Sequence, residues 1–291
     1  MSATPMSAQP SGSTDQWRTV LRHRWPLRLM HWINLACMLA MVGSGLQILN
    51  AHPALYWGEA SNFAAPLASA KGVTHKGELR GITRIGSASF DTTGVMGATN
   101  NPNGVRVRAV APSWAMIPGS RNLAAGRRWH LFFAWAWVLN GSAYLIWSLV
   151  SRHLQRDLAM QRRDWREIPK SIADHLRFRH PKGEAALRYN PLQKLAYLGV
   201  IFGLTPLIVL TGLSMSPQLD PLMGGFIELV GGRQSARTLH FIAMSLFVLF
   251  AVVHLLMVMF AGPINEMRSM LTGRFRVRID AVSARAEVDH E

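Results

Sequence analysis

Four histidines lie within or at the ends of long apolar segments, where ionisable side chains are rare. An ionisable residue in such a segment is costly to bury and usually has a function. Neutral imidazole is also the commonest side-chain ligand for metals, so the chemistry that these residues suggest is metal ligation. The four candidate ligands are His31, His130, His240 and His254.

His240 and His254 stand 14 residues apart. In an α-helix, 14 residues turn through about 1400°, which is only about 40° short of four full turns, and rise about 21 Å. Both imidazoles therefore lie on one face of the same helix, at two depths. Such a helix can present two metal ligands, and each of them needs a partner from another segment.

The elements that must position these histidines are four segments without Asp, Glu, Lys or Arg. Each is long enough to cross a bilayer, which takes about 20 apolar residues in a helix. The spans must be helical, because four segments cannot close a barrel. We therefore predict an all-α integral membrane protein that forms a four-transmembrane-helix bundle. The predicted spans are residues 29–50, 129–151, 195–219 and 238–262.

The basic residues are distributed unequally between the two sides of the predicted bundle. Twenty of the 31 Lys and Arg residues fall on the side of the two termini, and eleven fall on the other side. Because cytoplasmic segments carry the excess of Lys and Arg, we predict that both termini face the cytoplasm. The predicted segments are a disordered tail at 1–16, a four-helix domain at 17–275 with an outer loop at 51–125 and a cytoplasmic loop at 152–194, and a mobile tail at 276–291.

This orientation restricts which histidines can form pairs. The first span starts inside and the second starts outside, so His31 lies near the cytoplasmic side and His130 near the outer side. The fourth span also starts outside, so His240 lies at the outer depth and His254 lies deeper. Only two pairings match in depth, His31 with His254 and His130 with His240.

Two imidazoles on opposite faces of a flat macrocycle satisfy a low-spin haem iron and favour electron transfer. Zinc usually takes three or four clustered ligands, often with carboxylate or thiolate, and these spans supply no carboxylate. The single cysteine, Cys37, cannot make a covalent Cys-x-x-Cys-His haem site or an iron–sulfur cluster. We therefore expect two b-type haems, with the four histidines as ligands of the haem iron.

A histidine-bearing transporter or ion-conducting bundle without haem remains an alternative, although the spans lack carboxylates and no inverted repeat is visible. A structural membrane anchor would leave the depth-matched histidines unexplained. The formal net charge of +15 does not indicate nucleic-acid binding, because the basic residues flank apolar segments and form no stripe with interleaved aromatic residues.

The chain resembles the bacterial four-helix cytochrome b family, the membrane subunits of nickel–iron hydrogenase, formate dehydrogenase and thiosulfate reductase. The resemblance covers about residues 18–275. It rests on Arg28-x-x-His31-Trp32, Ser44-Gly45, Arg127-Arg128-Trp129-His130, Asn190-Pro191-x-Gln193-Lys194, Thr211-Gly212-Leu213 and the two histidines 14 residues apart.

The resemblance implies a multi-pass subunit of the bacterial inner membrane that transfers electrons between the quinone pool and a periplasmic redox partner, without catalytic residues of its own. It implies that His31 and His254 ligate the cytoplasmic-side haem and that His130 and His240 ligate the outer haem. Quinone would react near the cytoplasmic-side haem. Asn190 and Gln193 are then candidates for hydrogen bonds to a quinone carbonyl, and ordinary helix capping explains them equally well.

The long outer loop is the departure from this family, whose members typically have a short connector there. It is more similar to the subclass found with periplasmic molybdenum oxidoreductases. The partner expected from the resemblance is therefore a periplasmic molybdenum oxidoreductase, a hydrogenase-like enzyme or a cytochrome.

Overall fold

A computed structural model describes residues 16–119, 122–176 and 189–279. The prediction of an all-α protein is wrong, because the described residues include eight strands as well as the helices. The α-helices are α1 (Trp25–Leu49), α2 (Leu123–Val150), α3 (Arg162–Leu176), α4 (Pro191–Leu198), α5 (Thr205–Ser214), α6 (Asp220–Leu229), α7 (Arg233–Ala261) and α8 (Pro263–Thr272).

Four helices are long and apolar enough to cross a membrane. They run over Trp25–Leu49, Leu123–Val150, Pro191–Ser214 and Arg233–Ala261, in the order of the four predicted spans. Each begins four to six residues before its predicted start. The reason is that the first turns carry Arg or Lys, whose long side chains can extend to a polar interface while the backbone stays helical.

The third span is interrupted and ends earlier than predicted. A π-helical segment, Gly199–Leu204, separates α4 from α5, and Pro206 follows it at the second position of α5. Proline has no backbone N–H to donate and crowds the preceding turn, which is a common cause of such interruptions. The span ends at Ser214, and a short 3-10 helix, Pro217–Leu219, then leads into α6.

The predicted outer loop contains a small β-structure, which we call the β-insert (residues 54–109). One sheet has the strand order β2-β3-β4-β5 and is antiparallel throughout, and β6 and β7 form a separate hairpin. The strands are β2 (Ala54–Leu55), β3 (Ala68–His75), β4 (Glu78–Ile85), β5 (Ala88–Asp91), β6 (Gly97–Asn100) and β7 (Arg106–Ala109).

Glycines allow the hairpin to pack directly on the four-stranded sheet. A Cβ atom at Gly81 would lie 2.0 Å from the Met96 carbonyl oxygen, and one at Gly97 would lie 2.7 Å from the Lys71 carbonyl oxygen. Both distances are impossible for a side chain, so the backbones of β4 and β6 meet without intervening atoms. The small core beside them includes Ala70, Ala109, Val110, Ala111 and Met116.

The β-insert is fixed to the beginning of the fourth span. The Thr238 hydroxyl donates to the Tyr56 carbonyl at 2.6 Å, and the Arg237 guanidinium donates to the His52 carbonyl at 2.6 Å. The chain divides into two compact units, and these contacts belong to the unit formed by Leu29–Leu158 and Leu195–Leu255. The insert therefore adjoins the end of the bundle at which α7 begins.

The second unit consists of the described parts of Met1–Arg28, Ala159–Lys194 and Leu256–Glu291. In it, β1 (Gln16–Leu21) pairs with β8 (Arg274–Ile279) in an antiparallel ribbon. Arg and apolar residues alternate along β8, and Phe275 and Val277 are buried while Arg274 and Arg276 are exposed. The predicted boundary at residue 275 is therefore wrong, because residues 276–279 continue this strand. The tails at 1–15 and 280–291 lie outside the described residues.

Candidate functional site

The structure brings the four candidate histidines together in two pairs. The ring centroids of His31 and His254 are 6.4 Å apart, with an angle of 56° between the ring planes. Those of His130 and His240 are 6.2 Å apart, with an angle of 64°. All four histidines belong to the larger unit, and His240 and His254 both lie on α7.

These separations fit two ligands on opposite sides of one metal. An imidazole nitrogen lies about 2 Å from a bound metal and about 1.1 Å from its own ring centroid, so opposed ligand rings have centroids about 6.2 Å apart. The described residues contain no cluster of three or more His, Cys, Asp or Glu side chains that could hold a metal ion. Each pair therefore offers two protein ligands, which is the number that a six-coordinate haem iron takes.

In the His130–His240 pair, the Nδ1 atom of each ring is held by a backbone carbonyl of a neighbouring span. His130 Nδ1 lies 3.2 Å from the Met41 carbonyl oxygen, and His240 Nδ1 lies 3.1 Å from the Ile208 carbonyl oxygen. If Nδ1 carries the proton and donates, Nε2 keeps its lone pair for a metal. Metal-binding histidines commonly have such a partner, which fixes the tautomer and the ring orientation.

A hydroxyl group supports each of these two histidines. Ser44 Oγ lies 3.1 Å from His130 Nδ1 and donates its own proton to the Ala40 carbonyl at 2.6 Å. Thr211 Oγ1 lies 3.2 Å from His240 Nδ1, and it donates to the carbonyl four residues before it at 2.7 Å. Because both hydroxyl protons are used by the helix backbone, both oxygens can accept from the imidazole.

A glycine follows each hydroxyl residue and leaves room for the imidazole. A Cβ atom at Gly45 would lie 3.5 Å from His130 Cε1, and a Cβ atom at Gly212 would lie 3.3 Å from His240 Cε1. The first and third spans thus support the two histidines in the same way. In each span, the residue with the accepting carbonyl is followed three residues later by the hydroxyl residue, and the glycine comes directly after it. Sequence reasoning noted the two hydroxyl–glycine pairs only as a family likeness and missed their role. Their repetition in two spans was the available signal.

The His31–His254 pair has different surroundings. The His31 Nδ1 atom is buried, and no residue in the described part of the chain forms a hydrogen bond with it. Trp32 contacts the His31 ring edge-on, with centroids 5.3 Å apart, and Phe250 stacks on His254 at 6.1 Å with an angle of 17°. Aromatic packing therefore supports both rings of this pair.

Asn190 and Gln193, the predicted quinone contacts, cap the beginning of α4. Asn190 Oδ1 accepts from the Leu192 backbone N–H at 2.9 Å and from the Ser171 hydroxyl. Gln193 Oε1 accepts from the Asn190 backbone N–H at 3.2 Å, which completes a reciprocal capping arrangement. Both amide oxygens thus have a structural role, and only the amide NH2 groups are suited to donate to a ligand.

A comparison with protein families identifies the architecture that carries these pairs. The family model described as prokaryotic cytochrome b561 matches residues 22–273. The chain belongs to the prokaryotic cytochrome b561 family. This result confirms the resemblance inferred from the sequence, and membership implies a membrane electron-transfer subunit that binds haem b.

A curated relative comes from Azospira oryzae, where it is named a putative protein-methionine-sulfoxide reductase subunit YedZ1. It is 33% identical over 137 residues, which are 47% of this chain and 66% of the relative. No solved structure matches the chain.

Proposed function

We propose that the protein relays electrons between the quinone pool and a periplasmic oxidoreductase through two bis-histidine b haems. The observation that carries this proposal is the pair of imidazole separations, 6.4 Å and 6.2 Å, at two levels of one helix bundle. His31 and His254 would hold one haem, and His130 and His240 would hold the other. A bound haem supplies one-electron chemistry, and the protein supplies the ligands, their orientation and the surroundings that set the potential.

In this proposal, the His130–His240 haem faces the periplasm and the His31–His254 haem faces the cytoplasm. The excess of Lys and Arg on the side of the termini supports this orientation. The β-insert adjoins the beginning of α7, seven residues before His240, so the partner enzyme would dock at this end. The name of the Azospira relative, a reductase subunit, supports an oxidoreductase as the partner.

Quinone would exchange electrons with the His31–His254 haem. Asn190 and Gln193 stand at the beginning of the third span, which the proposed topology places on the same side of the membrane. Since their amide oxygens are used for capping, a quinone carbonyl would accept from their NH2 groups. Both residues would then have two roles, in helix capping and in quinone binding.

The proposal is tested by reducing the purified, haem-loaded protein in proteoliposomes with menadiol and following haem absorbance. We expect reduction of both haems by the quinol, and absence of any reduction would contradict the quinone assignment. Gln193→Glu keeps the capping oxygen and removes the NH2 donor, whereas Gln193→Ala removes both. If Gln193 contacts quinone, both variants raise the menadiol concentration for half-maximal rate. If it only caps the helix, Gln193→Glu behaves like the wild type.

A further inference from the structure

A line of polar residues runs along one face of α2 towards its C-terminal end. Tyr144, Ser148 and Ser151 follow Asn140 at intervals of four, four and three residues. At about 100° per residue, all four project within an arc of about 80°, along about 17 Å of the helix axis. Polar side chains in a membrane-length helix are unfavourable unless something satisfies them.

The hydroxyl groups of Ser148 and Ser151 are buried and have no hydrogen-bond partner in the described part of the chain. Ser148 has no exposed surface at all. Most Ser and Thr residues in membrane helices donate to the carbonyl four residues earlier. In this chain Ser44, Thr211 and Ser245 do so, with distances of 2.6, 2.7 and 2.9 Å.

Ser148 and Ser151 do not form this bond, so their buried hydroxyl groups keep hydrogen-bonding capacity that the helix backbone does not use. Buried polar atoms of this kind are commonly satisfied by internal water, which needs two to four polar neighbours. The Tyr144 hydroxyl lies one turn before Ser148 and interacts with the Ser148 side chain, so it provides a further polar group. Three hydroxyl groups on one face thus form a place suited to a chain of water molecules.

The two ends of this line have distinct partners. Near the C-terminal end, His153 Nδ1 pairs with the Asp157 carboxylate at 2.6 Å, and half of the Asp157 side chain is exposed. At the other end, the Asn140 amide donates to the Met30 carbonyl at 2.9 Å and to Asn34 Oδ1 at 2.7 Å. Met30 directly precedes His31. The line therefore connects a partly exposed His–Asp pair with the surroundings of the His31–His254 pair.

We propose that Tyr144, Ser148 and Ser151 line a hydrated proton path between the His153–Asp157 pair and the quinone-reactive haem region. This inference rests on the proposed function. Oxidation of one quinol gives two electrons, one to each ferric haem, and releases two protons. Reduction of one quinone takes up the same two electrons and two protons. The path carries the protons to or from the aqueous side, so that electron transfer is not accompanied by charge accumulation in the apolar interior.

The test uses the haem-loaded protein in proteoliposomes and compares menadiol with dithionite as the reductant. Ser148→Val replaces the hydroxyl group with two methyl groups and excludes water at this buried position of the line. We expect menadiol-driven haem reduction to slow at least about tenfold, because proton transfer becomes limiting. Reduction by dithionite, the haem spectrum and the haem content stay as in the wild type. Ser142→Val is the matched control, since Ser142 is exposed on the same helix.

If Ser148→Val keeps the wild-type rate with menadiol within twofold, the proton path is refuted. If Ser148→Val does not bind haem, Tyr144→Phe decides instead, because it removes only one oxygen atom, and a wild-type menadiol rate in that variant refutes the path. If the wild type contains haem but menadiol does not reduce it, the proposed quinone function fails first. An unreduced wild type differs from the result expected for the path, in which menadiol reduces the wild type and only the variants are slow. An unreduced wild type would overturn the proton path as well.

Discussion

Replacing Gly212 with alanine tests how the third span supports His240. A new Cβ atom would lie 3.3 Å from His240 Cε1, whereas carbon atoms at optimal contact are about 3.5–4.0 Å apart. The ring must therefore move by a few tenths of an ångström away from the helix that also carries Ile208. The Nδ1–Ile208 carbonyl distance, now 3.1 Å, would then exceed the normal range of about 2.7–3.2 Å for such a bond.

In the proposed function His240 ligates a haem iron, so loss of this hydrogen bond would change the electron donation of His240 to that iron. An imidazole that donates from Nδ1 is a stronger ligand and favours the ferric state, so weakening the bond raises the midpoint potential. A net hydrogen-bond energy of about 0.5–1.5 kcal/mol corresponds to about 20–60 mV for one electron. We expect Gly212→Ala to raise the potential of one haem by this amount and to leave the other unchanged.

Potentiometric titration of the haem absorbance measures the effect. Gly45→Ala is the matched control, because its new Cβ atom would lie at an ordinary contact distance of 3.5 Å from His130. A lower potential in Gly212→Ala, equal shifts of both haems, or an equal shift in Gly45→Ala would refute the reasoning.

Two further predictions concern stability. Asn140→Leu removes the amide that joins the first two spans and leaves Asn34 Oδ1 unpaired. We therefore expect the free energy of unfolding, measured by thermal unfolding, to fall by about 1 kcal/mol. The decrease should be smaller in the double variant with Asn34→Leu, which has no unpaired amide oxygen. At the base of the β-insert, burial and the charges of Arg237 and Lys71 lower the pKa of His52 below 6.5. Because the pKa of His52 is lower in the folded protein than in the unfolded chain, folding favours the neutral imidazole. This contribution to the free energy of unfolding is fully present above about pH 6.5 and is lost as the pH falls through the folded pKa. Amide protection factors around His52, which correct hydrogen–deuterium exchange for its intrinsic pH dependence, should therefore decrease towards pH 5 in the wild type and change less in His52→Gln.

The four spans could be predicted because apolar length alone determines which segments can cross a bilayer. The candidate pairs could also be predicted, since helical periodicity puts His240 and His254 on one face and alternation of the spans limits their partners. The acceptors of the histidine Nδ1 atoms could not be predicted, because they are backbone carbonyls such as that of Met41. Every residue has a backbone carbonyl, so the residue type does not identify the acceptor.

The β-insert was largely missed for a related reason. Its two layers depend on the direct approach of Gly81 and Gly97 to facing backbones, and glycines in a polar loop look like turn residues until the register is known. The continuation of β8 past residue 275 was missed because its alternating Arg and apolar residues are few, and their partner strand is at the opposite end of the chain.

The central claim is that each histidine pair holds one haem, and the haem content per chain tests it most directly. Quantified by the absorbance of extracted haem against protein concentration, the wild type should contain two b-type haems. His130→Ala should retain one, with the spectrum of the remaining haem unchanged. A wild type without haem from haem-replete cells, or a His130→Ala variant that still holds two haems, would contradict the account.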